Sequence, residues 1–215
     1  DKETADFDGD GDADGGLGGA ARTWYRSTGA ARTFSAPFLI RTANVEFTTD
    51  MAVGDLDADG DLDLIASDGN GANNVRWFEN PRIGPPPGGT ADPTVAANWL
   101  LNPIGTHGSW AHDIELARLD GNASLDVVTL GNGSFRIHFR DSPTAWTTVD
   151  FSQHAGDGSP AAADIDSDGD LDLFVQGGGI ENPPSGRRVA ANWTFHEITN
   201  SDPGDGPAAA AVDID

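Results

Sequence analysis

Asp55-Leu56-Asp57-Ala58-Asp59-Gly60-Asp61-Leu62-Asp63 decides how the rest of the chain is read, because it recurs. It returns as Asp164-Ile165-Asp166-Ser167-Asp168-Gly169-Asp170-Leu171-Asp172 and as Asp6-Phe7-Asp8-Gly9-Asp10-Gly11-Asp12-Ala13-Asp14. A degenerate copy runs Arg118-Leu119-Asp120-Gly121-Asn122-Ala123-Ser124-Leu125-Asp126, and Asp213-Ile214-Asp215 opens a fifth. The first positions 6, 55, 118, 164 and 213 lie 49, 63, 46 and 49 residues apart. The long interval holds the insertion Pro85-Pro86-Pro87-Gly88-Gly89. The underlying period is therefore about 48 residues, within the range of repeats that build arrays of supersecondary units.

Each period shares one internal order. Small apolar residues lead into the Asp stretch (Met51-Ala52-Val53, Ala161-Ala162-Ala163), and a β-rich run leaves it (Leu62-Asp63-Leu64-Ile65-Ala66, Leu171-Asp172-Leu173-Phe174-Val175). A Gly/Asn turn and an alternating strand follow, as in Gly131-Asn132-Gly133 and Phe135-Arg136-Ile137-His138-Phe139. A fourth strand is expected near Asn98-Trp99-Leu100-Leu101 and again near Asn192-Trp193-Thr194-Phe195. The pattern predicts an all-β chain, a β-propeller-type array of about four four-stranded blades with Asp-rich loops. The expected repeats are 1–49, 50–112, 113–158 and 159–207 of a single repeat domain 1–215, with 208–215 opening a further one. Two readings of that last stub stay open. The chain is a fragment of a larger ring, or the half-loop is completed by a neighbouring subunit or by Asp1 and Glu3, and non-closing head-to-tail contacts would then give a filament.

Alternating Asp at positions 1, 3 and 5 lets one tight turn aim three carboxylates inward. Gly at position 6 permits the turn, position 7 offers its carbonyl, and position 9 adds another carboxylate. A hard cation such as calcium takes six to eight oxygens in that manner. The expected ligands are Asp55, Asp57, Asp59 and Asp63, with Asp61 acting mainly through its backbone. The equivalent sets are Asp6, Asp8, Asp10, Asp12 and Asp14, and Asp164, Asp166, Asp168, Asp170 and Asp172. About three well-formed calcium sites follow. The third loop (Asp120, Asn122, Asp126) is weaker or metal-free, with the Arg118 guanidinium expected to neutralise Asp120 and Asp126. Asp213 and Asp215 would supply part of a further site. An EF-hand opens with the same residues but needs Glu at position 12, where this chain has Leu17, Ala66 or Val175, and helical flanks.

Acidic residues number 35 against 12 Lys and Arg, a net charge of -23, which excludes nucleic acid and disfavours an anionic membrane surface. With no cysteine, neither disulfides nor thiolate metal sites hold the chain. No apolar run reaches the length of a membrane span, and no signal peptide opens the sequence.

The D-x-D-x-D-G-D-x-D pattern, repeated at this interval, resembles the FG-GAP/VCBS repeat family of integrin-α-like and secreted bacterial propellers. Arg76-Trp77-Phe78-Glu79-Asn80-Pro81 and Ala111-His112-Asp113-Ile114-Glu115-Leu116 resemble the bacterial VCBS version. The resemblance implies a calcium loop between the first two strands of each blade and an extracellular or cell-surface setting. It does not imply one activity, because fold alone does not choose a function.

The remaining candidates are few. His107, His112, His138, His154 and His196 form no H-E-x-x-H or H-x-H set, and His112 reads as a structural residue of the repeat. Trp99 and Trp193 occupy matching places after Ala-Asn and are expected between blades, while Trp24 and Trp110 are candidate sugar contacts. Asn122, Asn132 and Asn192 stand in glycosylation sequons. No nucleophile or phosphate-loop motif argues for an enzyme. The leading expectation is an extracellular structural or adhesive module presenting loops to a glycan or protein. The alternative is the propeller domain of a polysaccharide-degrading enzyme.

Overall fold

The computed structural model describes residues 2–19, 21–28, 33–41, 48–69, 71–82, 91–108, 110–152 and 159–198. Pro85–Gly89, His154, Asp213 and Asp215 lie outside the described residues.

The expected β-rich runs all form strands. β1 (Lys2–Ala5), β2 (Asp14–Leu17), β3 (Arg22–Tyr25) and β4 (Phe38–Arg41) make one sheet. The second is β5 (Thr48–Gly54), β6 (Asp63–Asp68), β7 (Val75–Glu79) and β8 (Leu100–Gly105). The third is β9 (Asp113–Ala117), β10 (Asp126–Gly131), β11 (Ser134–Ser142) and β12 (Ala145–Asp150). The fourth is β13 (Ala161–Ala163), β14 (Asp172–Val175), β15 (Gly178–Glu181) and β16 (Thr194–Glu197). In every sheet the strands neighbour each other in chain order, the antiparallel up-and-down form of a propeller blade. Two 3-10 turns, Ala96–Asn98 and Ala190–Asn192, are each followed by a tryptophan that leads into the last strand.

Burial explains the composition of the strands. The second strands β6 and β10 are buried at every position, so they read as continuous runs such as Leu64-Ile65-Ala66 and Val127-Val128-Thr129-Leu130 rather than as alternating ones. β3, with one face covered, alternates.

The chain forms two compact units, Asp1–Ile104 with the first two sheets and Gly105–Asp215 with the last two. In the first, Phe7, Trp24, Met51, Leu64, Phe78 and Trp99 share one core. Phe7 lies 6.0 Å from Trp24 and 6.2 Å from Trp99 between ring centres. In the second, Leu119, Phe135, Phe151, Leu173, Ile180 and Trp193 do the same, with Trp193 edge-on to Phe151 at 5.3 Å. Each such side chain contributes about 1.5–3 kcal/mol on burial. Trp99 and Trp193 therefore lie where the sequence places them, in the core shared by neighbouring sheets. Their indole N–H groups donate to the carbonyls of Pro93 (2.8 Å) and Arg187 (2.7 Å).

The first core also encloses a charge. Arg22 is fully buried, pairs with Asp68, and sets its guanidinium 4.8 Å over the Phe78 ring. Burial lowers its pKa to about 10.

Candidate metal loops

Each Asp stretch connects the first and second strands of its sheet, which fixes both loop ends on a ladder. Two positions make the turn. Position 4 is left-handed in all four loops: Gly9 (φ 73°), Ala58 (63°), Gly121 (81°) and Ser167 (65°). Position 6 is left-handed in the three complete loops, at Gly11 (93°), Gly60 (97°) and Gly169 (96°), where only glycine is comfortable. The third loop carries Ala123 there and does not turn in that way.

The carboxylates first serve the backbone. At position 1, both oxygens of Asp55 accept N–H groups, from Asp59 (3.0 Å) and Gly60 (3.1 Å). Asp6 and Asp164 repeat this with Asp10 and Gly11, and with Asp168 and Gly169. At position 9 the buried carboxylate joins the loop to the third strand or the residues just after it. Asp63 accepts from the N–H groups of Leu56 (2.9 Å) and Asn80 (2.8 Å). Asp14 does so from Phe7 and Ser27, Asp126 from Leu119 and Arg140, and Asp172 from Ile165 and Asn182. The position-9 Asp is thus a structural tie in all four sheets, the degenerate one included. Each of its oxygens retains a second lone pair.

What the backbone leaves over converges. Carboxylate oxygens lie within 4.8 Å of one another in three groups: Asp6, Asp8 and Asp10; Asp55, Asp57 and Asp63; and Asp164, Asp166 and Asp172. Asp57 Oδ1, Asp59 Oδ2 and Asp170 Oδ1 are enclosed without a hydrogen-bond donor. Such atoms are costly to bury unless something positive meets them. Burial, with Asp59 next to it, raises the Asp57 pKa to about 6, and burial raises that of Asp63 to about 8. An all-oxygen, turn-borne donor set of this kind fits a hard divalent cation.

Asp12 and Asp61, at position 7, are absent from these groups among the described residues. Asp170, the third position-7 carboxylate, is held by Arg187. Asp168 accepts the Asp170 N–H at 3.1 Å.

The third loop is neutralised from elsewhere than the sequence suggests. Arg118 turns away and donates to the Ala123 carbonyl at 2.9 Å. The guanidinium on Asp120 is that of Arg188, from the fourth period, which donates to Oδ2 through Nη2 (2.5 Å) and Nε (3.1 Å) and also pairs with Asp141. Asn122 folds onto Asp120 as well, its amide group 3.0 Å from Oδ2. Asp126 keeps both backbone ties, and burial raises its pKa to about 6.

Two further outcomes differ from expectation or escaped it. Trp24 is fully buried, its indole N–H on the Pro93 carbonyl at 3.2 Å, so it is a core residue and not a sugar contact. Trp110 is exposed at 38%, beside His112, whose ring nitrogen lies 3.2 Å from the Asn132 side-chain oxygen. The side chains that join neighbouring sheets were not singled out from sequence. Asn80 donates to the carbonyls of Phe7 (2.9 Å) and Leu62 (3.0 Å), and Asn182 to those of Leu119 (2.7 Å) and Leu171 (2.9 Å). The available signal is the repeated Glu-Asn-Pro at 79–81 and 181–183.

Known proteins bear on this arrangement in two ways. Residues 118–175, from the degenerate loop through β14, match the FG-GAP-like repeat. Among solved structures, an Agrocybe aegerita lectin, described as specifically recognising non-reducing terminal N-acetylglucosamine, is similar with a TM-score of 0.54 and 20% identity. The likeness covers 93% of this chain and 52% of the lectin, so the chain spans about half that protein's length. At that identity the likeness is one of fold. No protein of curated function matches. The class so defined is an all-β repeat protein of β-propeller type with an FG-GAP-like repeat.

Proposed function

We propose that the chain is a calcium-stabilised, extracellular binding module of the FG-GAP-like kind, holding its loops and surface side chains toward a glycan or protein. The carrying observation is the threefold recurrence of converging carboxylates, at Asp6/Asp8/Asp10, Asp55/Asp57/Asp63 and Asp164/Asp166/Asp172, in the same connection of three sheets. The enclosed, donor-less oxygens of Asp57 and Asp59 support it. A bound calcium would supply the charge these atoms lack, and sites on surface loops with few buried ligands suit the millimolar calcium outside cells. Metal bound only to the folded chain stabilises it by about 2.7 kcal/mol per site at a hundredfold excess over Kd.

The test is thermal unfolding in millimolar calcium and in excess EGTA, with bound metal counted by mass spectrometry. Three ions per chain and a melting temperature lowered by ten degrees or more in EGTA, on the order expected from several such sites, are the outcome this reading requires. An unchanged melt with no ion bound would sink it. For the partner, glycans ending in N-acetylglucosamine are the first probes, with Trp110→Ala as the variant that should abolish binding if the exposed indole is the stacking face.

A further inference from the structure

The second unit contains a chain of polar side chains that no metal reading uses. His107 and His138 are both fully buried, and Thr129 stands between them. His107 Nε2 lies 3.2 Å from the Gly131 carbonyl oxygen, which only accepts, so this nitrogen carries the proton. His107 Nδ1 is then bare and accepts the Thr129 hydroxyl at 2.9 Å. Thr129 Oγ1 in turn accepts from His138 Nε2 at 3.2 Å, leaving His138 Nδ1 to accept from Thr148 at 2.8 Å. One carbonyl thus orders a chain of four hydrogen bonds in which both rings are neutral. A further proton on His107 would turn the Thr129 hydroxyl from the 2.9 Å bond to Nδ1 onto the Arg136 carbonyl, 3.5 Å away, a poorer partner.

The same residues fasten a segment. Residues 106–108 and 110–112 precede β9 and lie along the β10–β11 hairpin. Arg136 donates to the Thr106 carbonyl at 2.9 Å, and the His112 N–H donates to that of Leu130 at 2.8 Å. The fit is close at both ends. A side-chain carbon at Gly105 would come within 2.6 Å of His138 Nδ1, and one at Gly131 would meet the Trp110 carbonyl at 2.5 Å. Arg136 on β11 and His112 face the pair with charge that disfavours a second proton, while Asp150 on β12 favours it. Burial outweighs them all, lowering the pKa of His107 and taking that of His138 down to about 3.

We propose that His107, Thr129, His138 and Thr148 form a proton-sensitive latch, which keeps residues 106–108 and 110–112, with the exposed Trp110, on the β10–β11 hairpin and releases them on acidification. The sign follows from linkage. In the released state His107 titrates near its ordinary value of about 6.5, so release takes up a proton that the closed state excludes. Below that pH the released fraction rises by up to about tenfold per pH unit. The latch stands on its own geometry, independent of calcium and of any ligand.

Hydrogen exchange of the whole chain in calcium buffer at pH 7, 6 and 5, corrected for intrinsic rates, tests it. Peptides over 105–112 should open progressively more below pH 6.5, while β10 and β14 stay protected. His107→Gln, whose amide can donate to Gly131 and accept from Thr129 without titrating, should abolish the pH slope. Should that variant not fold, imidazole nitrogen shifts of the native chain must show Nε2–H tautomers for both rings. Protection independent of pH, or simultaneous opening of all peptides of residues 105–198, or an Nδ1–H ring at His107, would overturn the proposal.

Discussion

At the residue scale, the loops show how one nonapeptide divides its work. Position 1 gathers the N–H groups of positions 5 and 6, and position 9 ties the loop to the third strand. Oxygens from positions 1 and 3 converge with one from position 5 or 9. Position 4 is left-handed whatever residue occupies it, and the chain uses glycine at Gly9 and Gly121 but Ala58 and Ser167 in the other two loops. A non-glycine residue in that region costs on the order of 1 kcal/mol. Ala58→Gly and Ser167→Gly should therefore raise stability, by about 0.5–1 kcal/mol each, against the opposing loss of chain entropy. Gly60→Ala, at φ 97°, should lower it. Urea midpoints at fixed calcium measure all three, and a loss of stability in both glycine variants would contradict the strain assigned to position 4.

At the element scale, neighbouring sheets within a unit are joined by few but well-placed groups. Asn182 serves two carbonyls, one in the Asp loop of each of two neighbouring sheets, and Arg188 takes up the charge of the third loop. Removing a buried donor leaves its acceptors without a partner at about 1–3 kcal/mol. Asn182→Ala should cost that much or more in calcium and in EGTA alike. Arg188→Ala should be destabilising to a similar degree, because Asp120 and Asp141 then face each other uncompensated, and Arg188→Lys should recover only part, lacking the planar fork. The check is chemical denaturation of each variant with and without calcium. A loss confined to calcium buffer would show that Arg188 acts through a metal site and not in place of one.

At the scale of the whole molecule, charge dominates. A net charge of -23 over 215 residues opposes compaction wherever it is not met by cations. In EGTA the protein should gain stability steeply as sodium chloride rises from low concentration toward half-molar, and far less so in calcium, where the loops are already neutralised. Melting curves across a salt series in both buffers decide this. Equal salt dependence in the two would mean that the repulsion resides outside the Asp loops.

Much of this was legible in the sequence because it is local. The Asp spacing, the β-rich runs after each loop and the Ala-Asn-Trp triplets are repeated in register, and repetition pointed to about four four-stranded blades, while the family resemblance put each loop between the first two strands; the described residues form sixteen strands in four such sheets. Asp63 and its equivalents were visible as acids, although not as ties to a third strand some seventeen residues away. What escaped depends on contacts distant along the chain. Trp24 and Trp110 look alike as letters, yet one is closed in a core and the other faces solvent. Arg118 stands inside the degenerate loop and Arg188 seventy residues after it, but reach and direction give the task to Arg188. Scattered histidines became a directed chain only when β10, β11 and β12 brought His107, Thr129, His138 and Thr148 together. The sequence by itself determined the repeat, the strands and the acidic loops, since these follow from spacing and turn chemistry. Tertiary structure decided which charges meet, which aromatics are enclosed and which protons are excluded, since burial and partnership belong to the packed chain.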